Sequence, residues 1–178
     1  MSEVARLSVP VGPEDHSRGR EDAPLTLVEY GDYQCPYCGQ AYPIVEKLLG
    51  TFSDSLRLVF RNLPLADVHP HAEAAAEMAE ALGLQGKFWA MHDVLFENQR
   101  DLSDAALLRY SEGVGADVDR VAKDLAEGKP RHRVEADLES AIRSGANGTP
   151  TFFVNGVRYD GSWQYEAFAE FLEAAQAH

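Results

Sequence analysis

The segment GDYQCPYCGQ (31–40) decides how the fold is predicted, because it holds both cysteines of the chain, Cys35 and Cys38. A pair with this spacing has three common uses: a structural disulfide, part of a metal site or a redox-active dithiol. A disulfide between cysteines so close in sequence closes a short loop and stabilises the fold little, since that stabilisation grows with loop length. The structural disulfide is therefore the weakest alternative.

A metal site needs more ligands than this pair supplies, because structural zinc is held by four. The only close pair of histidines, His69 and His71 in VHPH, could complete a set of two cysteines and two histidines. That run begins a predicted helix, however, and a solvent-exposed helix end is its simpler interpretation. The metal alternative stays open on this reasoning.

Composition limits the classes of protein to consider. A chain of 178 residues suits one domain with an elaboration, and 45% apolar with 25% charged residues is a globular composition. The formal net charge of −13 opposes binding to nucleic acids and anionic lipids. Neither a secretory leader nor a membrane span is recognisable, so we expect a cytoplasmic protein. Cysteine pairs there are typically catalytic or metal-binding rather than permanent disulfides.

Two strand-like runs, LTLVEY (25–30) and LRLVF (56–60), flank the cysteine segment. The stretch between them has apolar residues at helical spacing, namely Ala41, Ile44, Val45 and Leu48. We therefore predict a helix over 36–49, with Gly50 as its C-terminal cap. Parallel strands joined through one helix form a right-handed crossover on a covered sheet.

The second sheet segment is TFFVNGVRY (151–159), where Asn155-Gly156 predicts a hairpin turn because both residues accept a positive φ. A helix over 162–176 follows, with Ser162 as the predicted N-cap.

Four or five short helices fit the helical periods over 64–145, and this segment is interpreted as an inserted helical subdomain. The remaining domain would comprise 1–63 and 146–178. An edge strand is expected at RLSVPV (6–11), followed by a loop over 12–24.

The redox interpretation is favoured by the position of the pair on the predicted helix. Cys35 falls at the N-cap, Pro36 at the first helical position and Cys38 one turn inside. Free N–H groups and the positive end of the helix dipole stabilise a thiolate at Cys35. Cys35 is thus the expected nucleophile, and Cys38 is placed to resolve the mixed disulfide.

These residues resemble the DsbA-like thiol:disulfide oxidoreductases of the thioredoxin superfamily. The resemblance is carried by CPYC (35–38), by Glu29 six residues ahead of it, by Pro43, and by GTPTFF (148–153) before the hairpin. GKFWAMHDVLFE (86–97) is similar to part of the family's insertion. The resemblance implies a thioredoxin fold, a central mixed sheet flanked by helices, with an inserted helical subdomain. It also implies exchange with protein or peptide thiols and disulfides, by a monomer that needs no metal or organic cofactor.

The resemblance also implies roles for single residues. Glu29 would exchange protons with Cys38, where the alternative is an outward-pointing surface carboxylate. Pro150 would be a cis-proline facing the cysteines, where the alternative is an ordinary trans proline, and the backbone of Thr149 would pair with an extended substrate. Substrate contact is thereby implied for Pro36, Tyr37, Thr149 and Pro150.

Tyr37 departs from the strongly oxidising periplasmic members, which carry histidine in this position. Tyrosine offers the thiolate no comparable positive charge, so a less oxidising disulfide is expected. CPYC is also the glutaredoxin motif. Glutaredoxin-like or isomerase activity on small-thiol mixed disulfides therefore stays open, as does a peptide-binding or redox-sensing module without enzymatic activity.

Three further features are interpreted structurally. Asp32 is expected to shape the turn before the helix. The aromatic stripe over 88–96 is expected to pack in the core. The Arg131–Arg133 cluster is expected to be an exposed helix start.

Overall fold

One mixed sheet of five strands lies at the centre of the computed structural model, which describes residues 3–177. Its strands are β1 (His16–Arg18), β2 (Leu25–Gly31), β3 (Leu56–Asn62), β4 (Thr151–Val154) and β5 (Val157–Tyr159). The helices are α1 (Pro36–Thr51), α2 (Ala72–Gly83), α3 (Phe88–Glu97), α4 (Asp104–Gly113), α5 (Val118–Ala126), α6 (Lys129–Arg143) and α7 (Tyr165–Gln176).

The strand order across the sheet is β1-β3-β2-β4-β5. β2 and β3 run parallel and are connected through α1, whereas the other neighbouring pairs are antiparallel. β2 is therefore central, with Glu29 opposite Phe60 on one side and Phe152 on the other. The predicted α/β class, a mixed sheet flanked by helices, is confirmed.

Both faces of the sheet are covered. Leu25 and Leu27 of β2 pack in one apolar cluster with α1 and α7, while Val28 and Tyr30 pack in another with α6. Because side chains alternate along a strand, Glu29 shares the face covered by α1 and α7. The position of this carboxyl group is therefore interior.

Five helices, α2 to α6, lie between β3 and β4, where four or five were predicted. The aromatic stripe of α3 is core, as predicted: Phe88, His92, Leu95 and Phe96 are buried. The division into 1–63 with 146–178 and an insertion over 64–145 stays a prediction, and its end residues 1, 2 and 178 lie outside the described residues. Across residues 3–177, every helix is too short or too polar to cross a membrane.

The prediction of Gly50 as a helix cap is wrong. α1 continues to Thr51, and Phe52 is the C-cap, its N–H donating to the carbonyl of Leu48. Phe52 is buried in the cluster beneath α1. That tertiary contact holds the last helical turn beyond the glycine.

The predicted role of Ser162 is also wrong. α7 begins at Tyr165 with Gln164 at the N-cap, and the Ser162 hydroxyl accepts a hydrogen bond from the backbone N–H of Gln164 at 3.2 Å. The serine therefore orders the turn before the helix rather than capping it.

The expected edge strand over 6–11 reduces to one bridge, between Arg6 and Val157. The first regular strand, β1, lies instead inside the predicted loop and pairs with β3. The hairpin prediction is confirmed: Asn155 and Gly156 have φ values of 48° and 82°.

Arg133 is not part of an exposed helix start, contrary to the prediction. Its side chain is 24% exposed and pairs with Asp15 at 3.2 Å and Asp137 at 3.1 Å. Asp15 also pairs with the buried Arg61 at 2.9 Å. Buried charges persist in proteins when they are paired in this way, and here they join β3, α6 and the segment before β1.

Candidate active site

The dithiol lies at the start of α1. Cys35 is the N-cap, with φ −68° and ψ 124°, and Pro36 is the first helical residue, as predicted. Both cysteines are free thiols. They are buried in an apolar cluster that includes side chains of α2 and α3, so the helical segment forms part of their surroundings.

Asp32 shapes the turn before α1, as predicted. One carboxylate oxygen accepts hydrogen bonds from the backbone N–H groups of Gln34 at 2.7 Å and Cys35 at 3.2 Å. The other accepts from the N–H of Leu65 at 2.9 Å and lies 2.7 Å from Nδ1 of His69. The histidine considered as a metal ligand is thus engaged with Asp32.

The surroundings of Cys35 lower its pKa to about 5. The largest contribution is a hydrogen bond from the Cys38 thiol, and burial opposes it. The Thr149 hydroxyl and the backbone N–H groups of Cys38 and Tyr37 also stabilise the thiolate. Cys35 is therefore largely ionised at neutral pH.

Cys38 is shifted in the opposite direction. Burial raises its pKa well above the ordinary value, and the hydrogen bond to Cys35 and the charge of Glu29 raise it further. At neutral pH the dithiol carries one negative charge, on Cys35. The arrangement can support attack by Cys35 and later deprotonation of Cys38.

Glu29 is buried in β2, and burial, followed by the charge of Glu46, raises its pKa to about 8. Its Oε1 atom has no hydrogen-bond partner within residues 3–177. Glu29 is thus a buried carboxyl group that keeps its proton near neutral pH and whose charge acts on Cys38.

The loop before β4 closes the site opposite α1. The Thr149–Pro150 peptide bond is cis, and Sγ of Cys35 lies 3.6 Å from the carbonyl oxygen of Thr149. The Thr149 hydroxyl is buried and has no partner in the described chain other than the Cys35 sulfur, whose thiolate it stabilises. Pro36 and Tyr37 lie on the exposed first turn of α1, where Tyr37 is 62% accessible.

Sequence reasoning missed Gln99, in the turn after α3. Its side-chain nitrogen donates to the backbone carbonyls of Tyr33 and Cys35, at 2.9 Å each. Nothing in the spacing of the sequence relates position 99 to position 35. The contact arises only when α3 packs beside the start of α1.

No group of three or more histidine, cysteine, aspartate or glutamate side chains in residues 3–177 is arranged to hold a metal ion. The described site brings together the two sulfurs, the Glu29 carboxyl and the Thr149 loop.

A family model described as "Thioredoxin" matches residues 12–174. The chain belongs to the thioredoxin family. The "thioredoxin-like oxidoreductase from Silicibacter pomeroyi DSS-3" is 27% identical, with a TM-score of 0.83 over 94% of this chain and 95% of that one. BdbD from Bacillus subtilis, in its oxidised form, is 24% identical, with a TM-score of 0.86 over 99% and 100% of the two chains. The predicted DsbA-like thioredoxin fold is confirmed.

Curated relatives of this thioredoxin-family chain carry a different name. "Na(+)/H(+) antiporter NhaA 1" of Salinispora arenicola (strain CNS-205) is 51% identical over 98% of the chain, and NhaA 1 of Mycolicibacterium vanbaalenii is 43% identical over 96%. The chain spans 27% and 28% of those two proteins. The similarity therefore concerns one part of a longer relative.

Proposed function

We propose that this chain is a thiol:disulfide oxidoreductase that exchanges disulfides with protein substrates through Cys35 and Cys38. One observation carries the proposal: the two thiols have opposite pKa shifts, to about 5 for Cys35 and well above the ordinary value for Cys38. The ionised Cys35 is suited to attack a disulfide. The protonated Cys38 is suited to remain unreactive until a mixed disulfide has formed.

In the proposed reaction the Cys35 thiolate attacks one sulfur of a substrate disulfide. A Cys35–substrate S–S bond forms, the substrate S–S bond breaks, and the released sulfur takes up a proton. Cys38 then loses its proton to the ionised fraction of Glu29 and attacks Sγ of Cys35. The Cys35–Cys38 bond forms, the Cys35–substrate bond breaks, and the second substrate sulfur leaves as a thiolate that takes up the proton. The chain ends as a disulfide, and the substrate ends as two thiols. The same steps in reverse oxidise a substrate dithiol.

An apolar groove whose walls are connected to the Cys35 turn and the Thr149 loop favours polypeptide substrates. It has a volume of about 740 Å³, with one wall from the segment after β3 and the other from the end of α6 and the loop that follows. Val68 and Ile142 line these two walls and are 66% and 73% exposed. Exposed apolar surface of this kind commonly marks a binding site.

Both walls of the groove are connected to Cys35. One wall is held through Leu65, whose N–H donates to the Asp32 carboxylate that also accepts from the N–H of Cys35. The other continues from Asn147 into Thr149, beside the sulfur. An extended segment paired with the Thr149 backbone would thus lie beside this apolar surface.

The test is trapping with Cys38→Ser, which removes the resolving thiol and retains the nucleophile. In cell lysate it should accumulate mixed disulfides with proteins, and Cys35→Ser should accumulate none. Adducts with glutathione alone would favour the glutaredoxin-like alternative. A wild-type Cys35 of ordinary pKa together with no adducts would refute the proposal.

The curated relatives favour a second candidate, a redox domain that works with a Na(+)/H(+) antiporter. Its support is the 51% identity to a protein of that name over nearly the whole chain. A mixed disulfide between the Cys38→Ser chain and an antiporter in solubilised membranes would support it. Abundant adducts without any antiporter would contradict it.

The cytoplasmic location and the monomeric state remain proposals. Cell fractionation and light scattering of the purified chain test them.

A further inference from the structure

Gln99 contacts the backbone on both sides of the reactive cysteine. It lies half-buried in the turn after α3, and its amide nitrogen donates to the carbonyl oxygens of Tyr33 and Cys35, at 2.9 Å each. The Cys35 carbonyl also accepts the first hydrogen bond of α1, from the N–H of Gly39 at 3.0 Å. Both lone pairs of this carbonyl are therefore occupied.

The position of Gln99 depends on the absence of a side chain at residue 39. A Cβ built on Gly39 would lie 2.0 Å from Oε1 of Gln99 and 2.7 Å from its Cδ. Glycine is a poor residue inside a helix, because it loses more backbone freedom on folding than alanine does. Here it provides the space that the Gln99 amide occupies.

We propose that Gln99 is a positioning residue, which fixes the Cys35 turn so that the sulfur stays against the first-turn N–H groups and the Thr149 loop. The inference rests on the proposed disulfide exchange and deepens it. It assigns a residue of the helical segment, in the turn between α3 and α4, to the reactivity of the dithiol. Gln99 makes its contacts to backbone carbonyls, so it acts through the position of Cys35 rather than on substrate.

Loss of the Gln99 hydrogen bonds should affect the thiolate before it affects the fold. Hydrogen bonds to an anion depend strongly on distance and direction, so a Cys35 turn that moves even slightly stabilises its thiolate less. In the alternative, Gln99 only holds two segments of the chain together. Its loss would then lower the stability of the fold and leave the pKa of Cys35 unchanged.

A second glutamine provides a matched control. The side chain of Gln85 also makes two hydrogen bonds to backbone groups, accepting from the N–H of Asp117 at 2.9 Å and donating to its carbonyl at 3.1 Å. These bonds join the end of α2 to the start of α5. Gln85→Met therefore removes a comparable pair of bonds at a different junction.

The experiment compares Gln99→Met, Gly39→Ala and Gln85→Met in the full chain with both thiols reduced. The thiolate absorbance and the rate of reaction with a small aromatic disulfide are each followed against pH, and stability is measured in urea. Gln99→Met and Gly39→Ala should both move the thiolate midpoint upward by about one pH unit, which lowers the thiolate fraction at pH 5 about fivefold. Gln85→Met should keep the wild-type midpoint.

Gly39→Ala distinguishes an effect on the position of Cys35 from an effect on the stability of the fold. Alanine favours the helix while displacing the Gln99 amide, so this variant should show the upward midpoint without a loss in urea resistance. It also keeps the test decisive if Gln99→Met folds poorly.

An unchanged midpoint in Gln99→Met or Gly39→Ala, with an active wild type, would overturn the positioning role alone. An equal shift in Gln85→Met would overturn it as well. A wild type without a low midpoint and without disulfide exchange would instead overturn the proposed function, and this inference with it.

Discussion

At the residue scale, the charge on Cys35 depends first on its neighbour and only then on the helix. The Cys38 thiol is the main hydrogen-bond donor to the thiolate, ahead of the Thr149 hydroxyl and the first-turn N–H groups. Sequence reasoning placed Cys35 correctly at the N-cap and attributed its acidity mainly to the helix end, with the Thr149 hydroxyl as a secondary contribution. The larger contributions require knowing which donors fold against the sulfur.

Replacing Cys38 tests this order of contributions. Cys38→Ala removes the donor and should raise the pKa of Cys35 above that in Cys38→Ser, whose hydroxyl still donates. Near pH 6 the Ala variant should therefore be alkylated by iodoacetamide more slowly than the Ser variant. The rate of alkylation against pH gives both midpoints, and equal midpoints would contradict the prediction.

Glu29→Gln should separate the two steps of exchange. The amide cannot accept the Cys38 proton, so release of the substrate from the mixed disulfide should slow by about 100-fold, the lower end of the usual range for general-base catalysis. Formation of the mixed disulfide by Cys35 should keep its rate. Stopped-flow measurement of both phases checks this, and equal slowing of both would assign Glu29 another role.

Glu29 also predicts how stability varies with pH. Its pKa is about 8 in the folded chain and near 4.5 when unfolded, so the unfolded state releases this proton first. The contribution of Glu29 to the free energy of unfolding is therefore fully present below pH 4.5. It decreases by several kcal/mol as the pH rises to about 8. Urea unfolding in a Cys35→Ser background, where the opposite contribution of Cys35 is absent, should show this loss. Glu29→Gln in the same background should reduce it and leave the smaller part due to Asp137, whose pKa burial raises to about 6.

At the element scale, local chemistry determines the turns, and packing determines where helices end. Asn155 and Gly156 can be assigned to a hairpin from sequence because a positive φ is a property of the residue itself. The end of α1 cannot, because it depends on the burial of Phe52 beneath the helix. β1 was missed for the same reason, since it is a strand only through its pairing with β3.

Two glycine substitutions should have opposite effects on stability. Gly156→Ala keeps φ at 82° without steric contact and should destabilise the chain by about 1 to 2 kcal/mol, the cost of a left-handed conformation. Gly50→Ala, inside α1 with open space around its Cβ, should stabilise it by about 0.5 to 1 kcal/mol. Urea denaturation measures both, and two changes of the same sign would be inconsistent with these assignments.

At the scale of the whole molecule, an apolar groove lies between the segment after β3 and the end of α6, although the chain has a net charge of −13. Ile142→Glu places a carboxylate on its wall. Exchange with a polypeptide disulfide should slow by about tenfold, which corresponds to about 1.4 kcal/mol of lost apolar contact. Exchange with a small aromatic disulfide should stay unchanged.

The matched control for Ile142→Glu is Leu108→Glu. Leu108 is an exposed apolar residue of α4, at 45% accessibility, and is not among the residues that line the groove. Its substitution should leave the rate of exchange with both substrates unchanged. Equal slowing by the two variants would show a general effect of added negative charge instead of a binding surface.

Because of the sheet topology, the two parts of the dithiol site are synthesised at different times. Cys35 and Thr149 are 114 positions apart in the sequence, and every helix from α2 to α6 lies between them. β4 pairs with β2 only after all of these helices have been made. A chain still on the ribosome can therefore form α1 with both cysteines and yet lack the loop that stabilises the thiolate. The Cys38 thiol and the first-turn N–H groups can act on Cys35 as soon as α1 forms, whereas the contribution of Thr149 is added only when the last strands join the sheet.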